Sequence, residues 1–240
     1  MTLISALICT DGIVMASDGQ STFPTAAGFM RLPSEKIKKI GERVLWGGAG
    51  DVGLLQKIEI TLCNLKPEIW ARPIGRLRPD IRAGALGEQK ASATTFLPVV
   101  KEFPQPTAHV LFAGYDKGTP WILEIDPNGS DTQLEGYGFA AVGSGAHFVY
   151  GVLSGFGKHT WTLETGKILS YKIIHEAINV AAFGLGPPLQ MWELPKGGAP
   201  TPVANIAGIR DAYESWVEIQ LAELSQLTAQ PAPGIPSTSP

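Results

Sequence analysis

Thr2-Leu3-Ile4-Ser5-Ala6-Leu7-Ile8-Cys9-Thr10-Asp11-Gly12-Ile13-Val14-Met15-Ala16-Ser17-Asp18 holds two short apolar runs, Leu3 to Cys9 and Ile13 to Ala16, parted by Thr10-Asp11-Gly12. Asp-Gly between such runs is the strongest local hairpin signal. The chain therefore opens with a pair of antiparallel strands.

Working outward, Lys36 to Ile40 and Val44 to Trp46 form a second strand pair around Gly41-Glu42-Arg43. Gly47-Gly48-Ala49-Gly50 then leads into Asp51 to Leu65, where Val52, Leu55, Ile58, Leu62 and Leu65 recur at helical spacing. From Lys66 to Pro106, six prolines and the glycines at 84 and 87 predict one interrupted helix around Ile74 to Leu86 and otherwise loop. Strands follow at His109 to Ala113 and Trp121 to Ile125 about Asp116-Lys117-Gly118, and a further strand from Thr132 to Val142. Helices are predicted from Gly143 to Leu153, from Thr162 to about Phe183 and from Ile209 to Leu227, with a short strand near Leu189 to Glu193. Hairpin-linked strands and grouped helices give an α+β fold of two antiparallel sheets covered by helix layers. Residues 2–227 read as a single domain, and residues 228–240, rich in Pro and Ser, as a disordered tail.

Composition narrows the function. The 240 residues are 44% hydrophobic and 17% charged, which suits one domain with a sizeable core and excludes an intrinsically disordered chain. A net charge of −3 argues against a nucleic-acid binder, and no apolar run is long enough for a membrane span. Cys9 and Cys63 sit in apolar runs as buried free thiols. With no secretory signal pattern, the reading is a reduced, cytoplasmic protein.

Phosphate-binding glycine loops, His-Glu-x-x-His and Cys-x-x-Cys are all missing. His109, His147, His159 and His175 show no metal-ligand spacing, so no metal site is predicted. One residue stands out. Removal of Met1 before the small Thr2 would leave a threonine with a free α-amine, nucleophile and base in one residue. The amine's ordinary pKa of about 7.7–8.0 keeps a useful fraction neutral.

The run from Thr2 to Asp18 resembles the opening of proteasome β-type subunits and of the bacterial protease HslV, with Ser17-Asp18-Gly19-Gln20 closest to HslV. Lys36-Ile37-Lys38-Lys39-Ile40-Gly41 and Gly48-Ala49-Gly50-Asp51-Val52-Gly53 are similar to that family's lysine strand and its glycine turn into the first helix. Ala113-Gly114-Tyr115-Asp116 with Gly118 and Pro120, Asp126-Pro127 with Gly129, Gly143-Ser144-Gly145 and Thr162-Leu163-Glu164-Thr165-Gly166 follow in the family's order.

The resemblance implies the four-layer α-β-β-α sandwich of N-terminal nucleophile (Ntn) hydrolases and a threonine endopeptidase. Thr2 would be the nucleophile, Lys36 the cation that eases its deprotonation, and Asp18 the partner that holds Lys36 charged. Gly50 would supply the oxyanion N–H, and Ser144 would bond near the threonine amine. It also places Gln20, Gly48 and Val52 along the substrate. An open, uncharged pocket at Gly48 would favour bulky apolar P1 residues, the side chains just before the cleaved bond.

No cofactor is required, although the resemblance allows a carbonyl-bound structural Na+ or Mg2+ near Gly184 to Pro188. It implies a homo-oligomeric ring of six- or seven-fold symmetry, stacked as a double ring, cutting peptides or unfolded protein and fed by an ATPase unfoldase. One departure is visible. The Arg-Asp-x-x-Ser-Gly that follows the fourth helix in proteasome β subunits is replaced by Phe183-Gly184-Leu185-Gly186-Pro187-Pro188. Two other readings stay open: a non-cutting ring subunit, and an Ntn amidase for a small amide.

Overall fold

Strand β1 (Ile4–Ile8) and strand β2 (Gly12–Ser17) pair antiparallel from Ile4 opposite Ser17 to Ile8 opposite Ile13, the hairpin expected of Asp11-Gly12. In this computed structural model the described residues are 1–25, 28–96, 106–156, 160–180 and 184–229. A small hairpin of β3 (Gln20–Thr25) and β4 (Gly28–Pro33) follows, then β5 (Ile37–Ile40), β6 (Val44–Gly50) and helix α1 (Val52–Cys63). Helices α2 (Pro67–Trp70) and α3 (Ile74–Phe96) precede β7 (Ala108–Asp116), β8 (Thr119–Ile125), β9 (Asp131–Gln133) and β10 (Phe139–Val142). The described residues end with α4 (Ala146–Leu153), α5 (Leu163–Asn179), β11 (Gln190–Pro195), β12 (Thr201–Pro202) and α6 (Ile206–Ala229).

The strands make two five-stranded antiparallel sheets, ordered β10-β1-β2-β11-β12 and β5-β6-β7-β8-β9. The strand alternation explains how they bury their apolar residues. Ile4, Ala6, Ile13 and Met15 of the first sheet share one cluster with Ile37, Leu45, Leu111 and Ile122 of the second. The first sheet's other face, with Leu3, Leu7 and Val14, packs on Val149 of α4 and Ile173 and Ile174 of α5. The second sheet's other face, with Trp46, Val110 and Phe112, packs on α1 and α3. The fold is α+β with antiparallel sheets, as the sequence predicts.

Four expectations need correction. The proline-rich stretch carries a continuous 23-residue helix, α3, with Pro79 inside it. Leu77, Ile81 and Ala85 fall every fourth residue and are buried against Ile58 and Leu62 of α1. Gly84 serves close approach, since a Cβ there would lie 3.1 Å from Leu62 Cδ2. Secondly, Thr132 to Val142 is not one strand: β9 and β10 belong to different sheets, and the chain turns between them at Gly138, whose φ is +80°. Thirdly, the hairpin β3–β4 arises in a stretch without a strand signal. Lastly, Cys9 is buried but Cys63 is exposed, because the turn of α1 that buries Leu62 aims the next residue at solvent.

Helix α6 runs to Ala229, two residues past the predicted domain end, and the rest of the expected tail (230–240) lies outside the described residues, as do His159 and Phe183. Among the described residues, no helix is long and apolar enough to cross a membrane.

Candidate active site

Asp18 follows the end of β2 and is fully buried. Burying a carboxylate is costly unless its lone pairs are met. Here Oδ1 accepts the Leu3 N–H at 2.9 Å and the Lys36 ammonium at 2.7 Å. Oδ2 accepts the Gln20 and Gly186 N–H groups, each at 3.3 Å. One side chain thus ties the start of β1, the lysine before β5 and the loop after α5.

Lys36 is equally enclosed, its side chain 4% exposed. Burial pulls its pKa below the ordinary lysine value, while the charge and hydrogen bond of Asp18 oppose that pull. Its Nζ also donates to the Met1 carbonyl at 3.3 Å, so the cation is aimed at the Met1–Thr2 junction. Gln190 of β11 holds the backbone there: its Oε1 accepts the Lys36 N–H at 2.9 Å and its Nε2 donates to the Ser34 carbonyl.

Thr2 lies against the start of α4. Its N–H donates to Ser144 Oγ at 3.4 Å, and its carbonyl accepts from Ser144 Oγ at 3.4 Å and from the Gly145 N–H at 3.3 Å. Gly143 must be glycine, because φ is +96° and a Cβ would come within 2.2 Å of the Thr2 oxygen. Met1 occupies the space before Thr2. Its α-amine has a pKa below the ordinary value, through burial first and the nearby Lys36 charge second.

Gly50 ends β6 with φ +135°, and a Cβ would fall 2.0 Å from the Thr107 carbonyl. The next residue, Asp51, caps α1 by accepting the Leu54 N–H at 2.8 Å. A cleft of about 170 Å³ joins Thr2, Lys36, Gly48, Gly50 and Val52, so five of the sequence-predicted residues meet there. Ser144 bonds to Thr2 from the side.

Gln20 is not among the cleft's lining; its amide donates to the Gly184 carbonyl. The pocket at Gly48 is neither open nor uncharged. Leu55 Cδ2 stands 2.3 Å from where a Gly48 Cβ would be, and the Lys38–Glu59 ion pair (2.6 Å) lines the same cleft with Trp46. Sequence reasoning missed Gln190, Leu55, Glu59 and the Gly186 N–H. Only the apolar period of α1 pointed at Leu55; the others depend on tertiary pairing.

A family model described as proteasome subunit matches residues 83–186. The proteasome subunit beta of Methanosarcina barkeri is 28% identical over 179 residues, covering 73% of this chain and 78% of that protein. That of Archaeoglobus profundus is 29% identical over 183 residues, covering 74% and 77%. The chain is thus similar to proteasome β-type subunits, in a family model over part of its length and in relatives along about three quarters of it. Among solved structures of similar fold, Anbu (ancestral beta-subunit) from Yersinia bercovieri superposes with a TM-score of 0.70 at 15% identity, covering 97% of this chain and 99% of that one. A structure described as the helical assembly of the Anbu complex from Pseudomonas aeruginosa gives 0.70 at 14% identity, covering 99% and 100%. The family's Asp/Ser support after the fourth helix is absent here, and Gly186 of that loop instead donates to Asp18.

Proposed function

We propose that this chain is a threonine endopeptidase whose nucleophile is Thr2, exposed by loss of Met1. The observation that carries this reading is the buried Asp18–Lys36 pair aimed at the Met1–Thr2 junction. An ion pair taken so far from water rarely improves stability over apolar packing. A catalytic cation, by contrast, must be buried, charged and held in place.

In the proposed reaction the Thr2 hydroxyl attacks the substrate carbonyl carbon and passes its proton to the Thr2 α-amine. The Lys36 ammonium lowers the cost of that deprotonation. The Gly50 N–H, at the dipole-positive end of α1, receives the developing oxyanion. Collapse expels the amine product, which takes the proton from the Thr2 ammonium, and leaves an ester on Thr2 Oγ. Water, activated by the same amine, then hydrolyses the ester. Ser144 orients the amine.

The same reading takes residues 2–227 as one Ntn-hydrolase domain with a four-layer α-β-β-α arrangement, working in the cytoplasm. It assembles with its own copies, in a closed ring or an open helical array, with an ATPase unfoldase as the supplier of unfolded protein. The cleft volume and the Leu55 side chain support P1 residues of moderate size.

The test is intact mass before and after a peptide epoxyketone, which reacts with both the hydroxyl and the free amine of an N-terminal threonine, beside Thr2→Ala. Loss of Met1 and one adduct on wild type alone is the expected result. Retained Met1, or an adduct of equal yield on Thr2→Ala, overturns the proposal.

A further inference from the structure

Strands β7 and β8 pair Val110 with Ile125 and Leu111 with Glu124. One step further along that register, His109 stands opposite Asp126. Glu124 and Asp126 are two residues apart and share a strand face. His109 from one strand and the two carboxylates from the other therefore project from one side of the sheet end, the side on which Leu111 and Ile122 face the other sheet.

Their polar atoms converge. Glu124 Oε1 lies 2.5 Å and Asp126 Oδ1 3.5 Å from the same His109 Nε2, and the three ligand atoms all fall within 4.8 Å of one another. A single imidazole nitrogen carries at most one proton and can satisfy one carboxylate, leaving the second carboxylate beside a like charge. Among the described residues, the ion pairs of Glu124 and Asp126 run only to His109. Ser130 Oγ donates to Asp126 Oδ2 at 3.2 Å, which leaves Oδ1 turned toward the imidazole. The excess negative charge is felt nearby: besides burial, both carboxylates help to raise the Tyr150 phenol above its ordinary pKa.

We propose that His109, Glu124 and Asp126 form a binding site for one divalent transition-metal cation, Zn2+ by preference. One imidazole with two carboxylates suits zinc, whereas Mg2+ and Ca2+ favour all-oxygen shells. Two ligands each about 2.1 Å from a tetrahedral zinc lie roughly 3.4 Å apart, close to the His109–Asp126 spacing. The partly buried Glu124 carboxylate would rotate off the imidazole to take its own position. The site lies outside the cleft but beside its wall. His109 pairs with Ala49, and the Ala49 Cβ lies 3.2 Å from where Gly143, which packs on Thr2, would carry its own. The proposal is independent of the peptidase reading.

The test uses the full chain, stripped with a chelator and titrated with Zn2+ against a chromophoric indicator, and separately with Co2+. Expected are about one equivalent bound per chain, tetrahedral Co2+ absorption bands, and a rise in thermal midpoint with Zn2+ as binding stabilises the native state. His109→Ala should abolish all three, and Glu124→Gln, which keeps side-chain shape, should weaken binding by more than about tenfold. His175→Ala should change nothing. Should His109→Ala fold poorly, Glu124→Gln alone decides. Absence of saturable Zn2+ binding, equal binding of Mg2+, or unaltered binding in Glu124→Gln overturns the proposal.

Discussion

Under the proposed mechanism, Lys36 and the Thr2 amine beside it titrate in opposite senses. The amine must be neutral to accept a proton, so activity rises with pH through its pKa. Lys36 must be charged, so activity falls as pH passes its own. Burial lowers Lys36 from the ordinary lysine value, and a Thr2 amine freed beside the Lys36 charge would be pushed below the ordinary α-amine value by like-charge repulsion. The kcat/KM profile is therefore expected to be a bell, its acid limb below pH 8 and its alkaline limb below the usual lysine range. Lys36→Arg keeps its charge throughout and should erase the alkaline limb, while Lys36→Ala should lower kcat by about 10²-fold or more. A profile with no alkaline limb in wild type would remove Lys36 from the mechanism. Leu55 makes a second residue-scale case. Leu55→Ala removes the side chain over Gly48 and should shift the ratio of kcat/KM toward large apolar P1 residues by on the order of tenfold in a peptide panel. An unchanged panel would show that P1 binds elsewhere. The members of this site were legible in the chain only unevenly. Thr2, Asp18, Lys36, Gly50 and Ser144 sit in short runs that a resemblance can carry. Leu55, Glu59, Gln190 and the His109 cluster owe their positions to register and packing between distant segments, which no local spacing encodes.

Pro79 makes the comparable point for a helix. It lacks the N–H that would bond the Gly75 carbonyl, and its ring crowds that carbonyl. The helix persists because Leu77, Ile81 and Ala85 bury a continuous stripe on α1, and because Gly75 is exposed, so that water can meet its freed carbonyl. Pro79→Ala should restore the bond and raise stability by about 2 kcal/mol, less the entropy returned to the unfolded chain. For a chain of this size that is a gain of several degrees in Tm by calorimetry. No gain would mean that α3 is already kinked free of the lost bond. The same competition explains which elements the sequence reveals. Hairpin β1–β2 has an unambiguous turn between two runs that both enter the core, and α1 has a clean apolar period. Helix α3 hides because proline and glycine read as breakers until the partner helix is known. Hairpin β3–β4 hides because its second strand is exposed at every residue and so carries no inside–outside alternation. The segment from Thr132 to Val142 reads as one strand because only the tertiary fold assigns its halves to different sheets.

At the scale of the molecule, the large apolar side chains left exposed among the described residues include some on α6 and on β4. On α6, Ile219 and Leu221 are 58% and 59% exposed, and on β4, Phe29 is 75% exposed. Hairpin β3–β4 also flanks the cleft, since Ser21 and Ser34 line it and bond to each other at 2.7 Å. Solvating such side chains in a monomer is unfavourable, and burying them between copies gains about 25 cal/mol per Å². Two different patches meeting head to tail produce a closed ring if the rotation closes, and an open helical array if each step also rises. The expected outcome is a species many times the monomer mass by light scattering, visible as rings or helical particles by negative-stain microscopy. Ile219→Glu with Leu221→Glu should shift it to small species, as should Phe29→Glu if the hairpin supplies the opposing patch. The adduct with the epoxyketone separates assembly from chemistry. If the dispersed α6 variant still loses Met1 and takes the adduct, the site is complete within one chain and assembly serves access. If the Phe29→Glu variant alone loses the adduct while remaining folded, the neighbouring copy is needed to hold hairpin β3–β4 over the cleft. A wild-type chain that stays monomeric at all concentrations would refute the assembly and leave the exposed faces to another partner.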